Sequence, residues 1–178
     1  MNLEEGNLFE FEGDVVCITT NGCVKSNGMA VMGRGVAKQA AILFPEVPKI
    51  LGMNLAIMGN SPSILIDDIG GKSLREGRTR CLVSFPTKHK VVGYDGTNAV
   101  KYMTKNFKKG DIIPGWAAMS DIHLIKESAI KLVELANIHG WERVGFPRPG
   151  CENGGLTWEE VQLVLEPIFD DRFFCIYR

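Results

Sequence analysis

Two glycine-rich loops constrain this chain most: NGCVKSNGMAVMGRGVA at residues 21–37 and RPGCENGGLTW at residues 148–158. Each directly follows a short apolar, β-branched run, VVCITTN before the first and RVGFP before the second, and each leads into a segment with helical spacing. A strand that passes through a loop into a helix, rather than into a tight hairpin, needs a crossover to reach a parallel neighbour. In open α/β sheets, ligands settle beyond the carboxyl ends of such strands.

The rest of the chain repeats the alternation. Further strands are expected at residues 8–11, around Ile64, around Val83 and at residues 173–177, where FFCIY closes the sheet. After the first loop, Ala37, Ala40, Ala41 and Phe44 share a helical face that Pro45 terminates, and a second helix is expected at residues 48–58. A third starts at Ser120 or Asp121, carries Ile122, Ile125, Ala129, Leu132, Val133 and Ala136 at spacings of three and four, and stops at Gly140. Thr157 and Glu160 have capping-box spacing for a fourth. Residues 70–79, GGKSLREGRT, read as a turn-rich connection. The expectation is one three-layer α/β/α domain with a mixed, mostly parallel sheet. Residues 91–119 break the pattern, being polar, basic in the middle and without a core stripe, and about 91–115 read as an insertion. Its Lys105, Lys108 and Lys109 either approach an anion or form a solvated charge run.

Charge limits the ligand. With 178 residues, 20 Lys and Arg stand against 21 Asp and Glu, a formal net charge of -1, so there is no overall basic field to hold unmodified nucleic acid through its phosphates. An anion must be met locally. The five cysteines include no CxxC pair, which favours reduced thiols over a disulfide framework or a zinc site. The acidic start MNLEEGNLFEFEGD does not read as a signal peptide and no 18-residue apolar run suggests a membrane span, so a cytoplasmic location without membrane partners is expected.

Both loops suit a diphosphate. Gly33 with Gly35, and Gly154 with Gly155, allow close approach of backbone amides and positive φ. A dinucleotide fingerprint does not fit, because thirteen residues lie between Ile18 and Met32 where that motif turns at once into its helix, and no GxxxxGK[ST] occurs. Cys151 invites a nucleophile reading but has no histidine close in sequence, and the small-loop-residue reading is preferred. Tyr94 and Trp116 either stack on a base or cover a core edge; Trp158 anchors the second loop by packing. Arg34 and Arg148 either pair with phosphate or stay solvated.

The ordered motifs TTNG (19–22), MGRGVA (32–37), FPTK (85–88) and PRPGCENGGLTW (147–158) resemble the macrodomain family, ADP-ribose binders, over nearly the whole chain. They look most like the bacterial and phage branch that includes DNA ADP-ribosyl glycohydrolases and terminal ADP-ribose glycohydrolases. The resemblance implies that Asn7 and Leu8 lie by adenine, with the Asn7 amide oxygen accepting the adenine amino proton where many members use Asp. It implies that Asn21 faces the distal ribose, with Thr20 also among the ligand-binding residues, and that Gly33, Arg34, Gly35 and Val36 wrap distal ribose and diphosphate. Pro149, Gly150, Cys151, Glu152, Asn153, Gly154, Gly155 and Leu156 match the second diphosphate loop.

For catalysis the resemblance implies Lys88 as the group attacking or orienting at the anomeric carbon. The acidic position of that branch falls on Gly154, which leaves Glu152 as the nearby carboxylate. The implied partners are ADP-ribose or an ADP-ribosylated protein or nucleic acid, with no metal and no cofactor. Three functions stay open: removal of ADP-ribose from a modified macromolecule, non-catalytic reading or sequestering of ADP-ribose or another NAD-derived signal, and phosphate removal from ADP-ribose 1″-phosphate.

Overall fold

A computed structural model describes residues 1–70 and 80–178. Its centre is a six-stranded sheet of order β1-β8-β7-β2-β4-β3, built from β1 (Asn2–Glu5), β2 (Val15–Asn21), β3 (Ile64–Ile66), β4 (Cys81–Lys88), β7 (Val144–Pro147) and β8 (Phe173–Tyr177). The β1–β8, β8–β7, β7–β2 and β2–β4 pairs are parallel; β3 runs antiparallel to β4 at the far edge. Period-two alternation along β2 sorts the core into two layers. Val15 and Cys17 face α3 (Ile122–His139) and α4 (Trp158–Leu165), joined there by Val83, Phe85 and Phe146. Val16 and Ile18 face the opposite layer, α1 (Gly35–Leu43) and α2 (Val47–Met58), with Leu82 and Leu51. The three-layer α/β/α architecture with a mixed, mostly parallel sheet is therefore present.

Two expectations at the sheet edge need correction. Residues 8–11 are not a strand: Leu8–Glu10 is a single 3-10 turn capped by Asn7, and the edge strand is β1. Leu8 and Phe11 are both buried, a spacing of three that matches a helical turn. FFCIY does not close the sheet either, since β8 lies between β1 and β7.

The helix caps follow the sequence closely. Asp121 accepts a hydrogen bond from the His123 amide at 2.8 Å, and Thr157 and Glu160 make the reciprocal capping box. Gly140 adopts φ 63° at the end of α3. The turn-rich connection at 70–79 lies, beyond Gly70, outside the described residues.

Residues 91–119 have a core of their own, contrary to the patternless reading. β5 (Val91–Gly93) pairs antiparallel with β6 (Ile112–Pro114), and Tyr94, Ala99, Ile113 and Ala118 are buried together with Phe107 against them. The unit is tied back to the domain by the Gly115 amide donating to Lys90 O at 2.8 Å, and closed within itself by the Met119 amide donating to Asn98 O at 2.8 Å.

Candidate functional site

Because five strands of the sheet are mutually parallel, their carboxyl ends share one rim, and a cavity of about 450 Å³ lies along it. From β1 to β4 there are four inter-strand steps of about 4.8 Å, so the rim runs roughly 19 Å, enough to hold an extended nucleoside diphosphate sugar. Gly6 and Asn7 follow β1, Tyr177 ends β8, Arg148 follows β7, Asn21 ends β2 and Lys88 ends β4; all line this cavity.

The first loop forms one wall with Gly33, Arg34, Gly35 and Val36. Asn21 anchors it, its Nδ2 donating to Val31 O at 2.9 Å and its Oδ1 accepting from the Cys23 amide at 2.9 Å. Gly35 adopts φ 56°, a left-handed conformation that glycine takes without penalty, whereas Gly33 does not use positive φ. α1 then starts at the cavity with no side-chain cap, so the first amides of the helix have no intrahelical partner and face the space with the positive end of the helix dipole. α3 and α4, by contrast, cap their own termini.

The second loop forms the facing wall with Gly150, Cys151, Glu152, Asn153 and Gly154. Glu152 adopts φ 52°, the positive-φ residue other than glycine among the described residues. Its side chain is exposed at the cavity wall. Gly150 and Gly155 take positive φ and Gly154 does not. Burial pushes the Cys151 thiol up to about 11, so it is a protonated wall group and not a thiolate.

Lys88 joins the two walls. Its Nζ donates to Asn153 O at 3.0 Å. Burial pulls its pKa down to about 8; Cys23 opposes that shift and the Arg34 charge adds to it. The amine is thus poised near neutrality, with no carboxylate partner among the described residues.

Of the residues expected to contact a ligand, Asn7, Leu8, Thr20, Asn21, Gly33, Arg34, Gly35, Val36, Gly150, Cys151, Glu152, Asn153 and Gly154 line the cavity together with Lys88. Pro149, Gly155 and Leu156 do not. Pro149 is buried behind the loop, a Cβ on Gly155 would meet Met119, and Leu156 packs against the α3–α4 core. The Asn7 amide is already engaged, Oδ1 accepting from the Phe9 amide at 3.2 Å and Nδ2 donating to Glu10 at 2.8 Å, which leaves Oδ1 one further lone pair.

Several lining residues escaped the sequence reading. Tyr102, like Trp116, lines the cavity, with the Arg34 guanidinium 4.0 Å from the Tyr102 ring centroid. Tyr94 instead fills the core of the appended unit, its hydroxyl donating to Gly96 O at 3.0 Å. Lys105, Lys108 and Lys109 are exposed and away from the cavity. Arg148 is held between the Trp158 and Tyr177 rings, at 5.2 and 4.5 Å. Ser120 also lines the cavity, although its sequence context marked it only as a helix start. In the lining residues Thr20, Ser120 and Arg148, the atoms Oγ1, Oγ and Nε are closed off from solvent without a hydrogen-bond partner among the described residues, as are Asn60 Oδ1 and Arg80 Nε away from the cavity. Among the described residues, no three His, Cys, Asp or Glu side chains converge as metal ligands would.

No family model and no curated protein matches the sequence. Solved structures do match the fold. The macrodomain of Mycobacterium tuberculosis DarG superposes with a TM-score of 0.68 at 20% identity, covering 99% of this chain and 95% of that one. The macrodomain of Thermus aquaticus DarG gives 0.61 at 22% identity over 99% and 97%. Thermosipho africanus DarTG in complex with ADP-ribose gives 0.67 at 18% identity, where 98% of this chain matches 41% of a longer one. The chain has the macrodomain fold.

Proposed function

We propose that this protein binds ADP-ribose along the sheet rim and removes it from a modified macromolecule through Lys88. The observation that carries the reading is the convergence on one cavity of two glycine-rich loops, an uncapped helix N-terminus and a depressed lysine. The amides of Gly35 and Val36 on one side and the turn at Gly150 on the other suit a diphosphate lying between them. Asn7 and Tyr177, over β1 and β8, suit the adenosine end, and Lys88 the terminal ribose. In this reading the neutral Lys88 amine attacks the anomeric carbon and a C–N bond forms as the bond to the leaving group breaks; the leaving group keeps that electron pair and takes a proton from water, the amine gives up a proton, and water then cleaves the C–N bond, releasing ADP-ribose and regenerating Lys88. Glu152 lies on the second-loop wall and accepts the proton that the amine, or the hydrolytic water, gives up, directly or through water.

Calorimetry with ADP-ribose, ADP, AMP and NAD tests the binding half, and a protein without preference for ADP-ribose overturns it. Incubation of wild type and Lys88→Ala with ADP-ribosylated protein and ADP-ribosylated DNA tests the catalytic half. Wild type releases ADP-ribose from one of them, and the variant binds ADP-ribose within threefold of wild type, roughly 0.6 kcal/mol, but releases none. A second reading, binding without turnover, is favoured by the exposure of Glu152 and the lack of a side chain at Gly154; absence of release by wild type from both substrates establishes it.

A further inference from the structure

Lys88 is the last residue of β4, and that strand does not finish in simple register with β2. Thr20 pairs with Pro86 and the next residue, Asn21, with Lys88, so Thr87 is an extra residue on β4. A bulge of this kind bends its strand and re-aims the side chain that follows. The rejoined end is held by two donors to Lys88 O, the Gly22 amide at 3.1 Å and Asn60 Nδ2 at 2.9 Å. Asn60 lies in the connection between α2 and β3 and does not line the cavity. The backbone makes room for its contact: a Cβ on Gly22 would come 2.9 Å from the Lys90 amide nitrogen and 3.2 Å from Asn60 Nδ2. That close approach accounts for the glycine of TTNG, which does not use positive φ. Removing the Asn60 amide would leave Lys88 O its bond from Gly22 and would take away an oxygen, Oδ1, that is closed off without a partner among the described residues. The fold itself therefore loses little with this side chain, and the consequence falls on Lys88.

We infer that Asn60 is a positioning residue for Lys88, its side-chain amide fixing the carbonyl end of the lysine after the bulge so that the amine stays in place at the second loop. This rests on the reading above, in which Lys88 is the attacking amine. The lysine is anchored at both ends, Nζ on Asn153 O at 3.0 Å and the main chain on Gly22 and Asn60. A lysine stem is long and flexible, so an amine held only at its tip follows any movement of the strand end that carries it. Without Asn60 the strand end slackens, the amine spends less time in its buried place, and its aim and its depressed pKa are lost together. A misplacement of about 1 Å costs on the order of a hundredfold in rate.

The test compares wild type, Asn60→Ala, Gly22→Ala and the double variant. Calorimetry reads ADP-ribose affinity, turnover is measured on whichever ADP-ribosylated substrate wild type cleaves, and carbon NMR of lysine-labelled protein reads the Lys88 pKa, its signal assigned by its loss in Lys88→Ala. Asn60→Ala binds ADP-ribose within about twofold of wild type, while kcat falls about tenfold or more with KM little changed. Its Lys88 pKa rises from about 8 toward the ordinary 10.5. Its melting temperature stays within about 4 °C of wild type, the shift that roughly 1 kcal/mol produces in a domain of this size. Gly22→Ala, which crowds Asn60 Nδ2 from the other side, raises the Lys88 pKa in the same way and adds little to Asn60→Ala in the double variant. An unmoved Lys88 pKa, an unchanged kcat, a larger loss of melting temperature in Asn60→Ala or full additivity overturns the inference. If wild type releases no ADP-ribose, the functional reading fails and this inference with it; if it does and Asn60→Ala matches it, this inference fails alone.

Discussion

Lys88 carries the clearest conflict between stability and chemistry. Its folded pKa of about 8 lies below the ordinary 10.5, so between those values the unfolded chain binds more protons and stability rises with pH. Below about pH 8 the folded protein bears the whole cost of the buried ammonium, on the order of 2 kcal/mol once solvent screening of a half-buried group is allowed for. Lys88→Met therefore melts higher than wild type at pH 7, and the gap narrows as pH approaches 10; a constant gap across that range rules the linkage out. The same residue sets the rate profile. If the neutral amine attacks, kcat/KM climbs tenfold per pH unit below about 8 and levels above it, and a pH-independent rate excludes the amine as nucleophile. Glu152 has the converse signature. Its φ of 52° costs on the order of 1 kcal/mol, so Glu152→Gly raises the melting temperature while lowering turnover, whereas Glu152→Gln lowers turnover without the gain in stability. Turnover equal to wild type in Glu152→Gln removes the carboxylate from the mechanism.

At the scale of elements, the strands and helices that could be read from the sequence were those whose local pattern and tertiary role agree. Continuous apolar runs made β2 and β4 legible because both faces of each are covered, and Asp121, Gly140 and Thr157 marked the helix ends with side chains that do the capping. Asn2–Glu5 was not legible, since an edge strand with mostly exposed side chains needs no apolar signature. The appended unit was missed for a different reason: its core draws on Tyr94, Ala99, Ile113 and Ala118, spread over about 25 residues with no local period. The same gap hid Tyr102 and Ser120, whose place on the cavity depends on long-range docking and not on any spacing along the chain. The Arg34–Tyr102 contact is where that docking reaches the first loop. Tyr102 is largely exposed, so Tyr102→Ala changes the melting temperature by no more than a degree or two, yet frees Arg34 from its ring. It speeds ADP-ribose dissociation about three- to tenfold in stopped-flow measurements with little change in association. An unchanged off-rate means that the appended unit does not brace the loop.

For the whole molecule, the charge balance and the site's construction make one joint demand. Twenty basic residues against 21 acidic ones leave no net attraction for a polyanion, while the rim offers backbone amides and two arginines that are partly engaged by aromatic rings. A protein that neutralises six to ten DNA phosphates loses about a thousandfold or more in affinity between 50 and 200 mM salt. The proposed ligand carries only a diphosphate, and in that reading it is held largely by neutral dipoles, which release no counterion array and are screened less inside a cavity. ADP-ribose affinity is therefore expected to fall less than about fivefold over that salt range, and unmodified single- or double-stranded DNA to give no saturable anisotropy change at 150 mM salt. A steep salt slope for ADP-ribose, or saturable binding of unmodified DNA, would mean that the exposed lysines of the appended unit act as a binding surface after all. Weak salt dependence with selective binding of ADP-ribosylated over plain DNA instead locates recognition of a modified polymer in the rim cavity, where the modification enters and the polymer itself contributes little.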